Sequence, residues 1–331
     1  MRAGHAALLG LLVSLVAIVG LSIAFSPTDD FVLENPFWNG FSDVDESLRL
    51  ISITNFEALS DKSVESSRSV LLIAGPSESF TGQEADMVKG FLRTGGLVVL
   101  ADDFGTGNDL LAKLGLNVRF SGFMLRDPLF MDRASALPRI LSFETSSYTA
   151  NVSSLGLNYA TSLARVDSGF KVLAYSTAFS YLDENGNGKP DTSEAVGPFP
   201  LIAELRYGEG SLIVVSDSSI FINSMINSAD NRIFLRDLVS DRTVYIDRFH
   251  WTPGLFTQFK WALAQVYMFI SSAEVKYTLL VTVLVLTFRF SGWSREIEEV
   301  DEFSKISKAH PEWDKDILIK LKEQRDKHGN Q

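Results

Sequence analysis

The chain has 331 residues, 46% hydrophobic and 21% charged, with a formal net charge of -11 and no cysteine. That is enough apolar material for a sizeable core plus accessory segments, and it is not a disordered composition. The acidic balance argues against nucleic acid as a partner, because phosphate binding needs clustered Lys and Arg, and the missing cysteine excludes disulfides, thiolate metal sites and a cysteine nucleophile.

Ala6–Phe25 is an uncharged apolar run of twenty residues, about 30 Å long as a helix, which predicts an N-terminal transmembrane anchor over residues 1–27. Arg2 precedes it and Asp29 and Asp30 follow, so the N-terminus should stay in the cytoplasm. The competing reading, a cleaved signal peptide, has only the weak Ala24-Phe25-Ser26 pattern to cut at.

Residues 28–250 then alternate strands and helices. Leu48–Ile53 reads as a strand, and Ser69–Gly75 (SVLLIAG) is a near-continuous apolar run of the kind buried on both faces. Thr81–Arg93 has helical spacing and opens with Thr81 and Glu84, a capping box. Gly95-Gly96 stops it, Leu97–Ala101 is a second buried strand, and Asn108–Leu114 is a short helix. This βαβα pattern predicts a mainly parallel sheet with helices on both faces. From about Phe120 to Ser168 the periodicity weakens, which predicts a β-rich insertion with strands at Arg139–Phe143 and Leu157–Arg165. Lys171–Ser176 and Leu201–Tyr207 should pair across a long hairpin, and Gly208-Glu209-Gly210 turns into Ser211–Ser216. Ile220–Ile226 and Asn231–Leu238 are predicted helices, and Thr243–Ile246 a last strand. Asn151-Val152-Ser153 is a glycosylation sequon, meaningful only outside the cytoplasm.

Residues 251–272 form a predicted membrane-proximal helix, and Ala273–Phe290 a second transmembrane helix. Glu274 and Lys276 crowd the outer end of that helix. Arg289 and Arg295 follow it, so residues 291–331 are a predicted cytoplasmic tail, in which Pro311 separates two short helices. The tail could dock a cytoplasmic protein or simply be solvated. From Arg289 onward nine Lys and Arg face ten Asp and Glu, and Arg2 offsets that difference, so the whole acidity belongs to the domain between the spans. The expected topology is a two-pass cell-membrane protein with both termini cytoplasmic and the main domain extracytoplasmic.

Asp183–Glu194 (DENGNGKPDTSE) satisfies the twelve-residue calcium-loop pattern in full. Asp183, Asn185, Asn187, Asp191 and Glu194 fall at the ligand positions, Lys189 offers its carbonyl, and Gly188 sits where the chain turns sharply. A strand-like segment precedes the loop and Gly197-Pro198 follows, so the expectation is a calcium-type loop grafted into a hairpin, with a weak, structural calcium ion. The plainer alternative is an Asn-Gly turn with solvated acids.

Three buried strands run into polar residues: Ser77 and Glu78, Asp102 and Asp103, and Asp217 and Ser219, with Asn223 one turn further on. In open parallel sheets, ligands sit at such carboxyl ends, so these seven residues form a candidate ligand crevice. The competing explanation is that they cap the following helices. A nucleophilic triad is poorly supported, because His250 is the one histidine outside the tails and Ser77 has no obvious base.

Asn35-Pro36-Phe37-Trp38-Asn39-Gly40-Phe41-Ser42, the Pro76-Ser77-Glu78 strand exit, the Gly95–Asp103 element, Asp217–Ile226 (DSSIFINSMI), Asp230–Val239 (DNRIFLRDLV) and Val244–Trp251 (VYIDRFHW) together resemble an uncharacterised, membrane-anchored domain-of-unknown-function family within the class I glutamine-amidotransferase-like superfamily. The resemblance covers most of residues 28–290. It implies a flavodoxin-like α/β sheet and a non-catalytic binding or assembly module, since the superfamily's elbow cysteine has no counterpart here. The functional expectation is therefore a non-enzymatic membrane-anchored extracytoplasmic binding or scaffold protein within a membrane assembly, whose partners are the lipid bilayer and a membrane or cytoplasmic protein. The alternative is a hydrolase using the acidic crevice.

Overall fold

The computed structural model describes residues 10–11, 13–14, 16–20, 24–61 and 64–328. The first expected span, Ala6–Phe25, falls partly outside them. The chain divides into two compact units, Met1–Lys260 and Trp261–Gln331.

The first unit is built on an eight-stranded sheet. In chain order its strands are β1 (Ile51–Ile53), β2 (Ser69–Ala74), β3 (Leu97–Ala101), β4 (Ser142–Phe143), β5 (Phe170–Tyr175), β6 (Pro200–Tyr207), β7 (Gly210–Val215) and β8 (Thr243–Asp247). Across the sheet the order is β1-β8-β2-β3-β7-β6-β5-β4. The pairs from β1 through β7 are parallel, and those from β7 to β4 are antiparallel. A mixed α/β fold with a large, mostly parallel sheet is therefore present. The strand order differs from the 2-1-3-4-5 of flavodoxin-like sheets, because the last parallel strand enters between the first two.

Successive side chains of a strand point to opposite faces, and here both faces are covered. Val70, Leu72 and Ala74 of β2 join one apolar core with Phe41, Phe221 and Phe234. Leu71 and Ile73 join the other, against Val88 and Leu92 of helix α2 (Gly82–Arg93) and Leu110 and Leu111 of α3 (Gly107–Lys113). That is why β2 and β3 are apolar at every position rather than alternating. Each Leu or Ile so buried contributes roughly 1.5–3 kcal/mol. The expected capping box is present: the Glu84 N–H donates to Thr81 Oγ1 at 3.2 Å, and the Thr81 N–H donates to Glu84 Oε2 at 2.6 Å.

Several boundaries need correction. Leu48 is not in the first strand; it ends a helix, α1 (Ser42–Leu48), and the strand begins only at Ile51. Arg49 after α1 takes a left-handed backbone (φ 54°), which breaks the run between Leu48 and Ile51. The expected helix Ile220–Ile226 is a single 3-10 turn, Ser218–Phe221, capped by Asp217, because the Asn223 and Ser224 N–H groups donate to the Gly40 and Trp38 carbonyls instead of back along the chain. In the insertion, Arg139–Phe143 splits: Arg139–Ile140 pairs with Leu155–Gly156, while Ser142–Phe143 joins the main sheet as β4. Of Leu157–Arg165 only Leu163–Ala164 is a strand, against Arg119–Phe120. The long hairpin of β5 and β6 and the tight turn into β7 form as expected. Helix α4 (Asn231–Val239) follows, ahead of β8.

The segment before α1 packs over the carboxyl ends of the strands. Phe31, Phe41 and Trp251 form an aromatic group with ring centroids 5.6–6.3 Å apart. The Trp251 Nε1–H donates to the Ala74 carbonyl at 2.8 Å. Gly75 (φ 56°) follows β2 because a Cβ there would meet the Phe31 ring at 2.4 Å. The two ends of this unit are joined: the Gly254 N–H donates to Asp29 Oδ2 at 2.9 Å, and the Lys260 ammonium donates to the Phe25 carbonyl.

The second unit holds most of α5 (Leu255–Ser271), with α6 (Ala273–Ala309) and α7 (Lys315–His328). The expected break near Pro311 is observed. Among the described residues no single helix is long and apolar enough to cross a membrane; one pair, Leu255–Ser271 with Ala273–Arg289, reaches the required length and composition together, bent by 65°.

Candidate functional site

The strand tips are organised by loops that fold around carboxylates. Asp102, 1% exposed, follows β3. Its Oδ1 accepts the N–H groups of Asp103 (2.8 Å) and Gly105 (2.9 Å), and its Oδ2 accepts that of Gly107 (2.7 Å). A Cβ at Gly105 or Gly107 would stand 2.6 Å from those oxygens, so the two glycines let the backbone wrap the carboxylate. Asp217, fully buried, accepts from the Ser219 N–H and, across the insertion, from the Asn158 N–H at 2.8 Å. Asp103 joins the two loops by accepting from the Ser218 hydroxyl at 2.8 Å.

Burial lifts the Asp102 carboxyl to about 6, against the pull of the Gly107 N–H. Burial also raises Asp103, and it raises Asp217 well above the ordinary carboxylate range, with the Asp103 charge adding to the effect. Three acids held this way are a recognised mark of functional sites, but structural networks produce the same shifts.

Ser77 and Glu78 lie on the other side of β2, facing the chain after β8. Their N–H groups both donate to the His250 carbonyl, at 2.8 and 3.1 Å. The Ser77 hydroxyl accepts from the Thr252 N–H at 2.9 Å, and Glu78 accepts from the Thr252 hydroxyl. Asn223 is elsewhere again: its amide donates to the carbonyls of Asn35 and Phe37 and to the Ser42 hydroxyl, and its Oδ1 accepts the Asp43 N–H. The structure thus brings Asp102, Asp103, Asp217 and Ser219 together, joins the Ser77–Glu78 backbone to the Asp102 loop through Thr106 while their side chains face Thr252, and makes Asn223 the clamp of the Asn35–Gly40 loop.

The sequence reading missed a buried acid-imidazole couple. His250 Nδ1 lies 2.7 Å from Asp247 Oδ2, and the ring stacks on Phe80 with centroids 3.8 Å apart. His250 Nε2 has no hydrogen-bond partner and faces Glu84 Oε2 at 3.6 Å. Burial raises Glu84, but the Thr81 N–H and hydroxyl and the His250 ring bring it below the ordinary value. Among the described residues no hydroxyl hydrogen-bonds to Nε2. The spacing Asp247-x-x-His250 was its only signal in the sequence.

A cavity of about 190 Å³ opens beside Ser219, lined among others by Phe31, Trp38, Asn39, Asn158 and Tyr159. Trp38 and Tyr159 stand on its rim, 66% and 53% exposed. The Asn35–Gly40 loop that carries Trp38 is fixed by Asn35, which donates to the Asp29 carbonyl, and by Asn39, which donates to the Thr28 carbonyl.

The predicted calcium loop is the tip of a hairpin: Leu182 donates to the Ala195 carbonyl at 3.1 Å, and Tyr181 bridges Val196. Asp183 Oδ2 accepts the Gly188 N–H at 3.0 Å and pairs with Arg126 Nε at 2.6 Å. Glu194 accepts the N–H groups of Glu184 and Asp191, both at 3.1 Å. The Asn185 and Asn187 amides donate to Asp191 Oδ2. Among the described residues no three His, Asp or Glu side chains gather closely enough to hold a metal by themselves. The sequon residue Asn151 is exposed and donates to Asp237 Oδ2 at 3.0 Å.

Residues 34–239 match the family described as Domain of unknown function (DUF4350). No curated protein matches the chain. Similar solved structures include the mmIFT52 N-terminal domain (TM-score 0.42, 16% identity, covering 57% of this chain and 82% of that one). Others are the Cytoplasmic Protein STM1381 from Salmonella typhimurium LT2 (TM-score 0.34, 11% identity, 58% and 77%) and a beta-galactosidase from Bacillus circulans sp. alkalophilus (TM-score 0.31, 14% identity, 51% and 22%). At these scores the likenesses carry no functional argument.

Proposed function

Given that the chain belongs to the DUF4350 family of domains of unknown function, we propose that it is a non-enzymatic, membrane-anchored binding or scaffold protein whose recognition surface is the Asn35–Gly40 loop and the cavity beneath it. The observation that carries this reading is how the acids are used. Asp102 holds three backbone N–H groups and Asp217 two, and both are closed to solvent, so neither is free to transfer protons. The cavity supports binding of a particular kind. At about 190 Å³ it is smaller than the roughly 300–1,000 Å³ of small-molecule sites, so it suits one side chain inserted by a partner protein. Exposed Phe37, Trp38 and Tyr159 beside it have the aromatic character of interface anchors.

Membrane attachment is part of the proposal. Val281, Val283, Leu284, Val285 and Leu286 of α6 are 47–59% exposed, and consecutive apolar side chains exposed around a helix suit lipid better than water. The uncharged Ala6–Phe25 run and the flanking Arg2, Arg289 and Arg295 support cytoplasmic termini and an outer domain. Amidotransferase-like ancestry also belongs here, supported by the parallel core and without the cysteine that chemistry needs.

The test is purification of the full chain from membranes with whatever it binds. Trp38→Ala and Tyr159→Ala should each release the co-purifying partner while leaving the unfolding midpoint within a few degrees of the parent. The hydrolase alternative draws on Asp103, the one acid of the three that solvent still reaches. A measured turnover abolished by Asp103→Asn, with partner binding intact, would replace the binding reading with that one.

A further inference from the structure

We propose that the Asp183–Glu194 loop is a calcium site, selective for calcium over magnesium, that locks the hairpin tip in the connection between β5 and β6. Asp183 is the carrying observation. Its side chain is 1% exposed, yet its Oδ1 has no hydrogen-bond partner, while its Oδ2 accepts the Gly188 N–H from across the loop. The carboxylate therefore faces the loop interior with one oxygen unsatisfied, an arrangement that normally requires a compensating group.

The remaining donors are arranged for a hard cation. Asn185 Oδ1 accepts the Asn187 N–H at 2.9 Å, and Asn187 Oδ1 accepts the Lys189 N–H at 2.7 Å. Each of those amide oxygens keeps a second lone pair. Glu194, 7% exposed, is turned back across the loop by the Glu184 and Asp191 N–H groups, so both its oxygens sit on the loop side. The Tyr181 hydroxyl donates to the Gly188 carbonyl at 3.0 Å and closes the base of the loop.

Charge decides the ion. Asp183, Asp191 and Glu194 contribute three negative charges and Arg126 returns one, which leaves a formal two negative charges in a loop whose first and last acids are buried. A divalent cation brings that to neutral. The mixed set of carboxylates, amide oxygens and a carbonyl on a flexible backbone favours calcium, because magnesium demands near-ideal octahedral geometry. Three carboxylates do not gather into a site alone, which fits weak binding, on the order of 10⁻⁴ to 10⁻³ M.

The full chain, stripped with chelator, would be titrated with calcium chloride and with magnesium chloride at matched ionic strength. At 10 mM calcium the melting temperature should rise by about 3–10 °C, with little change in magnesium. Terbium should luminesce on excitation of Tyr181, and calcium should quench that signal. Glu194→Gln should weaken binding at least about tenfold. Asp191→Asn, at an exposed position that folding tolerates, should also lower affinity while the protein melts normally without calcium. Equal shifts in calcium and magnesium, no shift at all, or variants that respond like the parent would overturn the site and leave Arg126 as the counter-ion of Asp183. None of these results bears on the Trp38 surface.

Discussion

Asp102→Asn offers a direct reading of the carboxylate-wrapped loop after β3. The acid has an ordinary value of 3.8 when unfolded and about 6 in the fold, where burial outweighs the N–H donors. A raised carboxyl favours the folded state only while it is protonated. Its contribution is complete below about pH 3.8 and is lost as pH climbs through about 6. Two units at about 1.4 kcal/mol each give about 3 kcal/mol. Asparagine does not titrate, but its NH₂ would oppose the Gly107 N–H and leave that donor unpaired, costing about 1–3 kcal/mol at every pH. Guanidinium unfolding of parent and variant from pH 4 to pH 7, followed by tryptophan emission, cancels the titrations of groups that do not interact with Asp102. The parent should be the more stable at pH 4 and lose about 3 kcal/mol of that advantage by pH 7, so that the two nearly coincide or cross. Parallel stability curves over the whole range would show that Asp102 is not held as described.

Asn223→Ala removes four hydrogen bonds to the Asn35–Asp43 segment and should cost about 2–4 kcal/mol, with new proteolytic cleavage near Trp38 as the readout. Gly75→Ala forces a Cβ into the Phe31 ring at a left-handed backbone position, and a loss of about 2 kcal/mol or more should appear in thermal melts. Thr81→Ala removes one half of the capping box of α2 and should lower stability by about 1 kcal/mol in denaturant titrations.

Features carried by local periodicity were legible in the sequence. SVLLIAG and LVVLA read as strands because both faces of each are buried, and Thr81 with Glu84 marked a helix start that the side chains then make. Asp102, Asp103 and Asp217 were grouped because each follows a parallel strand, and Asp103 links the two loops by accepting from the Ser218 hydroxyl. Features set by distant partners were not legible. Asn223 was placed in the crevice by its one-turn spacing from Ser219, yet its side-chain bonds go to residues 180–188 positions upstream. Ile220–Ile226 has helical apolar spacing, but the Asn223 and Ser224 N–H groups go to the Gly40 and Trp38 carbonyls, so the helical ladder is interrupted there. Nothing in the periodicity of Thr243–Asp247 says that it enters between β1 and β2. The Asp247–His250 couple was overlooked because His250 was judged by the absence of other histidines rather than by its neighbours.

The junction where Asp29 meets Gly254, Phe25 meets Lys260 and Phe31 packs on Trp251 has a mechanical consequence. Both ends of the domain leave it at one corner. Tension between the two flanking segments is carried by those few contacts and bypasses the sheet, whose strands are never loaded. Parting those contacts would separate the two ends of the chain while the sheet, and the Asn35–Gly40 loop that Asn223 ties down, kept their form.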